Sequence, residues 1–263
     1  PVICVGNIYL GGTGKTPFCV KLFTILKNLN RKPAIIKKKY KSFRDEILLL
    51  EQVGNVYEEK KRTHAIERAI ENKADLVILD DGFQDLSIKK DLSIICFNEK
   101  QWIGNGFMLP AGPLREELSS LKKADLVIMN GKKNINIEKK LLQENNKLKI
   151  YYTLHRPINM HEFKNKKILA FAGIGNPDNF INLLKSNKIN IQEEIHFPDH
   201  YDYSDKDLEN LINKAEKKDS ILLTTEKDYL RINENYKKNI KFLKIETEIE
   251  NENQFIKEIK KFI

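Results

Sequence analysis

The chain has 263 residues, 41% of them hydrophobic and 32% charged, and Lys plus Arg exceed Asp plus Glu by 46 to 37, a formal net charge of +9. That hydrophobic share makes a folded chain rather than a disordered one the default reading and supports one large domain or two of ordinary size, while the basic excess favours nucleotide phosphates, nucleic acid or anionic lipid. Cys4, Cys19 and Cys96 are too few and too far apart for a zinc site, their odd number fits free thiols in a reducing compartment, and no apolar run is long enough to span a bilayer.

Val2 to Val5 is a short apolar run, and a glycine-rich turn separates it from Phe18, Leu22, Ile25, Leu26 and Leu29 at helical spacing. Strand, loop and helix are predicted in that order. Pro33 to Ile36 starts a second strand. Thr63 to Asn72 reads as a helix ahead of Ala74 to Leu79, a continuous apolar strand that ends in Asp80-Asp81. Leu92 to Phe97 and Ala124 to Met129 repeat the buried-strand pattern. Such strands alternating with helices imply an α/β fold around a mostly parallel sheet covered on both faces. Asn134 to Lys149 is polar and lysine-rich, and the stretch on to Lys167 has no long apolar period. A nucleotide-binding domain is therefore drawn over 1–158 and a second, smaller α/β domain over 159–263. In the latter, Ile168 to Ala172 and Ser220 to Thr224 are strands, Phe180 to Leu184 begins a helix, and Asp205 to Lys217 is helical. Lysine runs such as Lys132-Lys133-Asn134 carry no interleaved aromatic residues, so nucleic acid is not an expected partner.

Between the first strand and the first helix stands Gly11-Gly12-Thr13-Gly14-Lys15-Thr16. Glycines turn backbone N–H groups inward to nest an anion, the lysine reaches the outer phosphates, the threonine hydroxyl can ligate magnesium, and the helix N-terminus adds its dipole. The strict phosphate-loop pattern asks for a glycine where this chain has Tyr9. The apolar strand before the loop, the amphipathic helix after it and Pro17 in the first helical turn support it nonetheless. Asp80 and Asp81, at the end of a buried strand, supply the carboxylates that such a site needs for magnesium, and two adjacent carboxylates repel each other without a cation. Gly173-Ile174-Gly175-Asn176-Pro177-Asp178 lacks the third glycine of a dinucleotide fingerprint and is read as a packed turn.

The segment Val5 to Pro17 resembles the phosphate loop of the tetraacyldisaccharide 4'-kinases of lipid A biosynthesis, a family of P-loop kinases. Asp45-Glu46, Leu79 to Gln84, Gly104-Asn105-Gly106 leading to Leu109 through Glu116, Phe197 to Tyr201 and Thr224 to Asp228 are similar to that family in order and spacing. The resemblance implies a P-loop NTPase-like fold and transfer of the ATP γ-phosphate, with Mg2+, to the 4'-hydroxyl of a tetraacylated disaccharide 1-phosphate lipid. It further implies work at the cytoplasmic face of the bacterial inner membrane, in peripheral or anchored contact with anionic lipid through a segment preceding Pro1. By the same resemblance Asp45 is the base and His200 its dyad partner. Glu46 lies beside the metal, and Asp80 and Asp81 match the magnesium-associated carboxylates. Gln84 and Arg115 are further candidates, Arg115 being able to fork onto a phosphate or a carboxylate. His64, His155, His161 and His196 are read as structural, and a monomer is expected. The alternative is a P-loop ATPase acting as a nucleotide-dependent switch on a protein partner.

Two departures stand out. The family usually carries Ser-Arg-Gly-Tyr-Gly after the second strand, where this chain has Lys37-Lys38-Lys39-Tyr40-Lys41, so the loop must differ while Lys38 preserves a charge. Asp85 stands where the family has histidine.

Overall fold

The structure, a computed structural model, describes every residue except Tyr40, Lys41, Ser42 and Phe43, and the side chains of Arg44 and Asp45 also lie outside the described residues. In chain order the elements are β1 Val2–Gly6, α1 Lys15–Asn28, β2 Pro33–Lys38, α2 Arg44–Glu51, β3 Val56–Glu59, α3 Arg62–Glu71, β4 Leu76–Asp80, β5 Leu92–Asn98, β6 Leu126–Asn130, α4 Ile135–Glu144 and β7 Lys149–Pro157. There follow β8 Lys167–Ala172, α5 Pro177–Ser186, β9 Asn190–His196, α6 Asp205–Lys217, β10 Ile221–Thr225, α7 Glu226–Arg231, α8 Glu234–Lys237, β11 Ile240–Leu243, β12 Ile245–Ile249 and α9 Glu252–Ile259. They form two compact units. Unit 1 comprises Pro1–Lys41, Leu50–His155 and Thr247–Ile263, and unit 2 comprises Ser42–Leu49 and Arg156–Glu246.

Unit 1 is built on a sheet of order β12-β7-β6-β5-β1-β4-β2-β3. From β3 to β7 each neighbouring pair is parallel. Strand side chains alternate between faces, so Ile3 and Val5 pack on one side with Phe18, Leu22 and Leu26 of α1, and Cys4 packs on the other with Leu79, Phe97 and the α3 residues Ala65 and Ala69. Both faces are thus buried, which is why the central strands read as unbroken apolar runs. Because β4 adjoins β1, with Val5 opposite Asp80, the acidic end of β4 falls beside the phosphate loop.

Two features depart from the sequence expectation. The lysine-rich stretch after Asn134 contains α4, whose Asn134 cap accepts from the backbone N–H groups of Asn136 and Ile137, and whose buried contribution is Ile137 and Leu141, one helical turn apart. The grouping of the chain also differs from a single division at 158/159. Residues 247–263 belong to unit 1, because Phe255 and Ile259 of α9 are fully buried in the same core as Phe18 and Leu22.

Unit 2 has a smaller, wholly parallel sheet of order β11-β10-β8-β9. Ile168 and Ala170 face Phe180 and Leu184 of α5, while Leu169 and Phe171 face Leu208 and Leu211 of α6. The three cysteines are free and buried, and burial pushes the Cys4 thiol up to about 12. Among the described residues no helix is long and apolar enough to cross a membrane.

Candidate active site

In unit 1 the phosphate loop hangs from the end of β1 and is braced from both sides. Tyr9, in the place of the missing glycine, is fully buried, and its hydroxyl accepts from the Asn98 N–H at 2.7 Å. Its ring lies 5.8 Å from that of Phe97. Burial pushes its hydroxyl well above the usual phenol range, so it stays neutral. The position therefore carries a core anchor, and the nest is left to the residues after it. Asn7 Nδ2 donates to Tyr9 O at 2.6 Å, and the Gln101 amide donates to Leu10 O at 2.9 Å. Gly14 takes φ 83°, a left-handed conformation that costs glycine little, and precedes α1, whose first turn has no side-chain cap and no acidic residue. Its uncapped N–H groups and positive dipole end suit an anion. Thr13 and Thr16 are buried, and Lys15 is half-buried.

The acidic end of β4 meets four side-chain cations, three at its carboxylates and one at its carbonyls. Lys37 Nζ lies 2.5 Å from Asp80 Oδ2, and Cys19 Sγ lies 3.8 Å from Oδ1. Asp81, at φ 54°, has Lys15 Nζ at 3.6 Å and accepts from the Arg115 guanidinium at 2.9 and 3.1 Å. The same guanidinium nitrogen donates to Asn7 Oδ1 at 3.1 Å, and Gln84 Nε2 donates to Asn7 O at 2.8 Å. Arg62 donates to the carbonyls of Asp80 and Asp81 at 3.3 and 2.7 Å. Burial by itself would raise the Asp81 carboxyl, but Lys15, then Arg115, outweigh it and hold the group below the usual carboxylate value. The repulsion between adjacent carboxylates, expected from the sequence to call for a metal, is here relieved by the protein's own ammonium and guanidinium groups. Among the described residues no three acidic, histidine or cysteine side chains gather as a metal cluster. Asp85 donates nothing of a histidine's charge. It accepts from Arg62 at 3.1 Å and from Ser87, and although burial opposes them, these partners hold its carboxyl low.

His155, read from the sequence as structural, lies near the loop. Its Nε2 is 3.0 Å from Asn130 Nδ2 and its Nδ1 is 3.1 Å from Thr247 Oγ1. Asn130 can only donate from that nitrogen, so the network assigns the ring proton to Nδ1. Burial lowers the imidazole's pKa. A Cβ on Gly14 would stand 3.1 Å from Asn130 Nδ2 and 3.4 Å from His155 Nε2, so this pair walls the loop closely.

Unit 2 carries the remaining candidates. Asp45 is on α2 with its side chain outside the described residues. Glu46 faces Lys227 at 3.7 Å. His200 has φ 56°, donates its backbone N–H to Gly173 O at 3.1 Å, and brings Nε2 to 3.8 Å from Asp199 Oδ1. The Thr224 to Asp228 segment organises the neighbourhood. Asp228 is fully buried and accepts from the Gly173 N–H at 3.1 Å, the Tyr203 hydroxyl at 2.9 Å and Thr225 Oγ1 at 2.7 Å, and it pairs with Arg231. Arg231 also donates to Gly173 O at 2.7 Å, the carbonyl that holds His200. Sequence reasoning missed Asn7, Lys37, Arg62, Tyr203 and Arg231. Only Asp228 had a local signal, the Thr-x-x-Asp spacing of a capped helix start.

All 263 residues, 1–263, match the family described as tetraacyldisaccharide-1-P 4'-kinase. The tetraacyldisaccharide 4'-kinase of Pelagibacter ubique (strain HTCC1062) is 42% identical over 253 residues, covering 95% of this chain and 81% of that protein. That of Rickettsia akari (strain Hartford) is 35% identical over 267 residues, again covering 95% and 81%. A crystal structure of LpxK from Aquifex aeolicus in complex with ATP is similar with a TM-score of 0.76 at 26% identity, covering 100% of this chain and 89% of that one. With the phosphate loop, the paired aspartates and the parallel sheet all in place, the chain belongs to the tetraacyldisaccharide-1-P 4'-kinase family.

Proposed function

We propose that this protein transfers the γ-phosphate of ATP to the 4'-hydroxyl of a tetraacylated disaccharide 1-phosphate, a step in lipid A biosynthesis. The observation that carries the reading is the convergence of Lys15 and Arg115 on Asp81 beside the uncapped start of α1. Phosphoryl transfer asks a protein chiefly for positioning and charge neutralisation. Gly11, Gly12, Thr13, Gly14, Lys15 and Thr16 are the groups that receive the phosphates in this reading, and Arg115 is a second cation within the same unit.

The Thr16 hydroxyl and the Asp81 carboxylate are hard oxygen donors that fit Mg2+, an ion that binds through one or two carboxylates and the substrate's phosphates. When bound, magnesium supplies charge neutralisation to the transferring group. Asp80, engaged by Lys37, and Glu46, engaged by Lys227, stand as supporting acidic groups. Asp45 is the proposed general base for the sugar hydroxyl, with His200 as its partner, both in unit 2. The acceptor being a membrane lipid, the work is placed at the anionic cytoplasmic face of the inner membrane, by a monomer without nucleic acid.

Transfer of labelled γ-phosphate to a detergent-dispersed tetraacyl disaccharide 1-phosphate tests this. The parent chain yields product, and Asp45→Ala lowers turnover by about 100-fold or more. ATP binding without lipid product from the parent chain would reject the reading and return the nucleotide switch, which the kinase names of relatives spanning 95% of the chain do not favour.

A further inference from the structure

From Gln101 to Leu114 the chain carries no charged residue, in a sequence that is 32% charged. This stretch belongs to unit 1, and although Leu114 is buried and Trp102 and Ile103 pack against the core, the apolar side chains at its tip turn outward. Phe107 is 62% exposed, Met108 40% and Leu109 49%, and Leu10 of the phosphate loop is 51% exposed. Other large apolar residues that reach solvent, such as Ile70, Leu86 and Ile135, stand singly in the sequence. Scattered apolar residues need no explanation, whereas a contiguous group marks a surface that meets something.

The loop is well tied. Leu114 N–H donates to Phe107 O at 3.1 Å, Leu109 N–H to Leu114 O at 2.9 Å, and Gly112 N–H to Met108 O at 3.0 Å. Gly112 is required there, because a Cβ would fall 2.4 Å from Phe107 O. The same loop is joined to the phosphate loop, since Leu10 N–H donates to Pro113 O at 2.8 Å and Arg115 N–H donates to Ile8 O at 2.7 Å. Backbone hydrogen bonds therefore fasten the tip's loop to the phosphate loop.

We propose that Phe107, Met108 and Leu109, together with Leu10, insert into the interfacial region of an anionic lipid bilayer and so bring the phosphate loop to the level of the lipid headgroups. The inference rests on the lipid-kinase reading, because it is the tetraacylated acceptor that obliges the reaction to occur at a bilayer surface. A charge at the tip would oppose insertion, and the stretch has none. The chain's net charge of +9 complements an anionic surface.

The test uses the 263-residue chain and vesicles of phosphatidylethanolamine and phosphatidylglycerol that contain no acceptor lipid. Co-sedimentation with the vesicles measures the partition. The parent chain is expected to bind. Phe107→Ser combined with Leu109→Ser lowers vesicle partition by about tenfold or more, with an unchanged thermal midpoint and unchanged phosphorylation of detergent-dispersed acceptor. Ile70→Ser, an equally exposed site on α3, leaves partition unchanged. Equal partition of parent and double variant overturns the proposal, as does a parent chain that ignores the vesicles. Self-association that the double variant abolishes, with vesicle binding unaltered, overturns it in favour of a second copy of the chain. The kinase reading fails separately, by the absence of product from dispersed acceptor.

Discussion

Lys37 and Asp80 form an ion pair at 2.5 Å in which both side chains are buried. Two strands of the sheet, β2 and β4, are neighbours, and the pair ties their loop-proximal ends together. Breaking one side of a buried pair leaves an uncompensated charge, which costs more than the intact pair contributes. Lys37→Met is expected to lower unfolding free energy by about 3–5 kcal/mol, measured by urea denaturation. Adding Asp80→Asn to it should recover most of the loss, whereas simple loss of packing would leave the double variant as unstable as the single one.

Asp81 competes with phosphate for Lys15 and Arg115. Asp81→Asn removes that competitor, so ATP binding in the absence of magnesium should tighten by a few-fold, while turnover with magnesium falls by about 100-fold or more, as expected for loss of a metal-associated carboxylate. Calorimetric titration and steady-state kinetics on the same sample separate the two effects. Weaker magnesium-free binding in the variant would show that Asp81 organises the loop rather than occupying its cations.

The lowered pKa of His155 makes stability depend on pH in a stated direction. A group that is harder to protonate in the native state contributes fully above its ordinary value of 6.5, and the contribution is lost as pH falls from there through the native value. The slope in that window reaches at most about 1.4 kcal/mol per pH unit for one proton. His155→Gln should remove this slope. Denaturation midpoints taken through that window check it, and an unchanged slope in the variant would assign the effect elsewhere.

In unit 2, Asp228 is the acceptor on which Gly173, Tyr203, Thr225 and Arg231 converge. Asp228→Ala strands the Arg231 guanidinium and should cost about 3–5 kcal/mol. Tyr203→Phe removes one hydrogen bond and should cost about 1 kcal/mol. Thermal unfolding of both variants ranks them, and a reversed order would contradict the central place given to the carboxylate.

What could be read in advance follows from where the information lies. β1, β4, β5, β6, β8 and β10 are buried on both faces, so each announces itself as a continuous apolar run. β9 is an edge strand in which exposed and half-buried residues alternate, with Glu193 and Glu194 in its middle, so no apolar run marks it in the sequence. α9 buries only Phe255 and Ile259, one turn apart, too little for a periodic signal. The phosphate loop was legible despite Tyr9 because strand, glycines, lysine and helix are contiguous. The partners of its acidic neighbours were not. Lys37 and Asp80 are 43 residues apart and Arg115 and Asp81 are 34, and no local pattern encodes which cation meets which carboxylate.

The return of residues 247–263 to unit 1 sets an order on biosynthesis. The Phe255 ring lies 5.9 Å from Phe18 and 5.2 Å from Tyr151, and Glu252 pairs with Lys21 at 2.8 Å. Phe18 and Lys21 belong to α1, the helix that begins at the phosphate loop. A ribosome therefore makes the nucleotide cradle first and its buttress only after all of unit 2 has emerged. Until then the part of α1 that α9 covers is left bare, an opening for chaperones and proteases that closes only once Ile259 has left the ribosome.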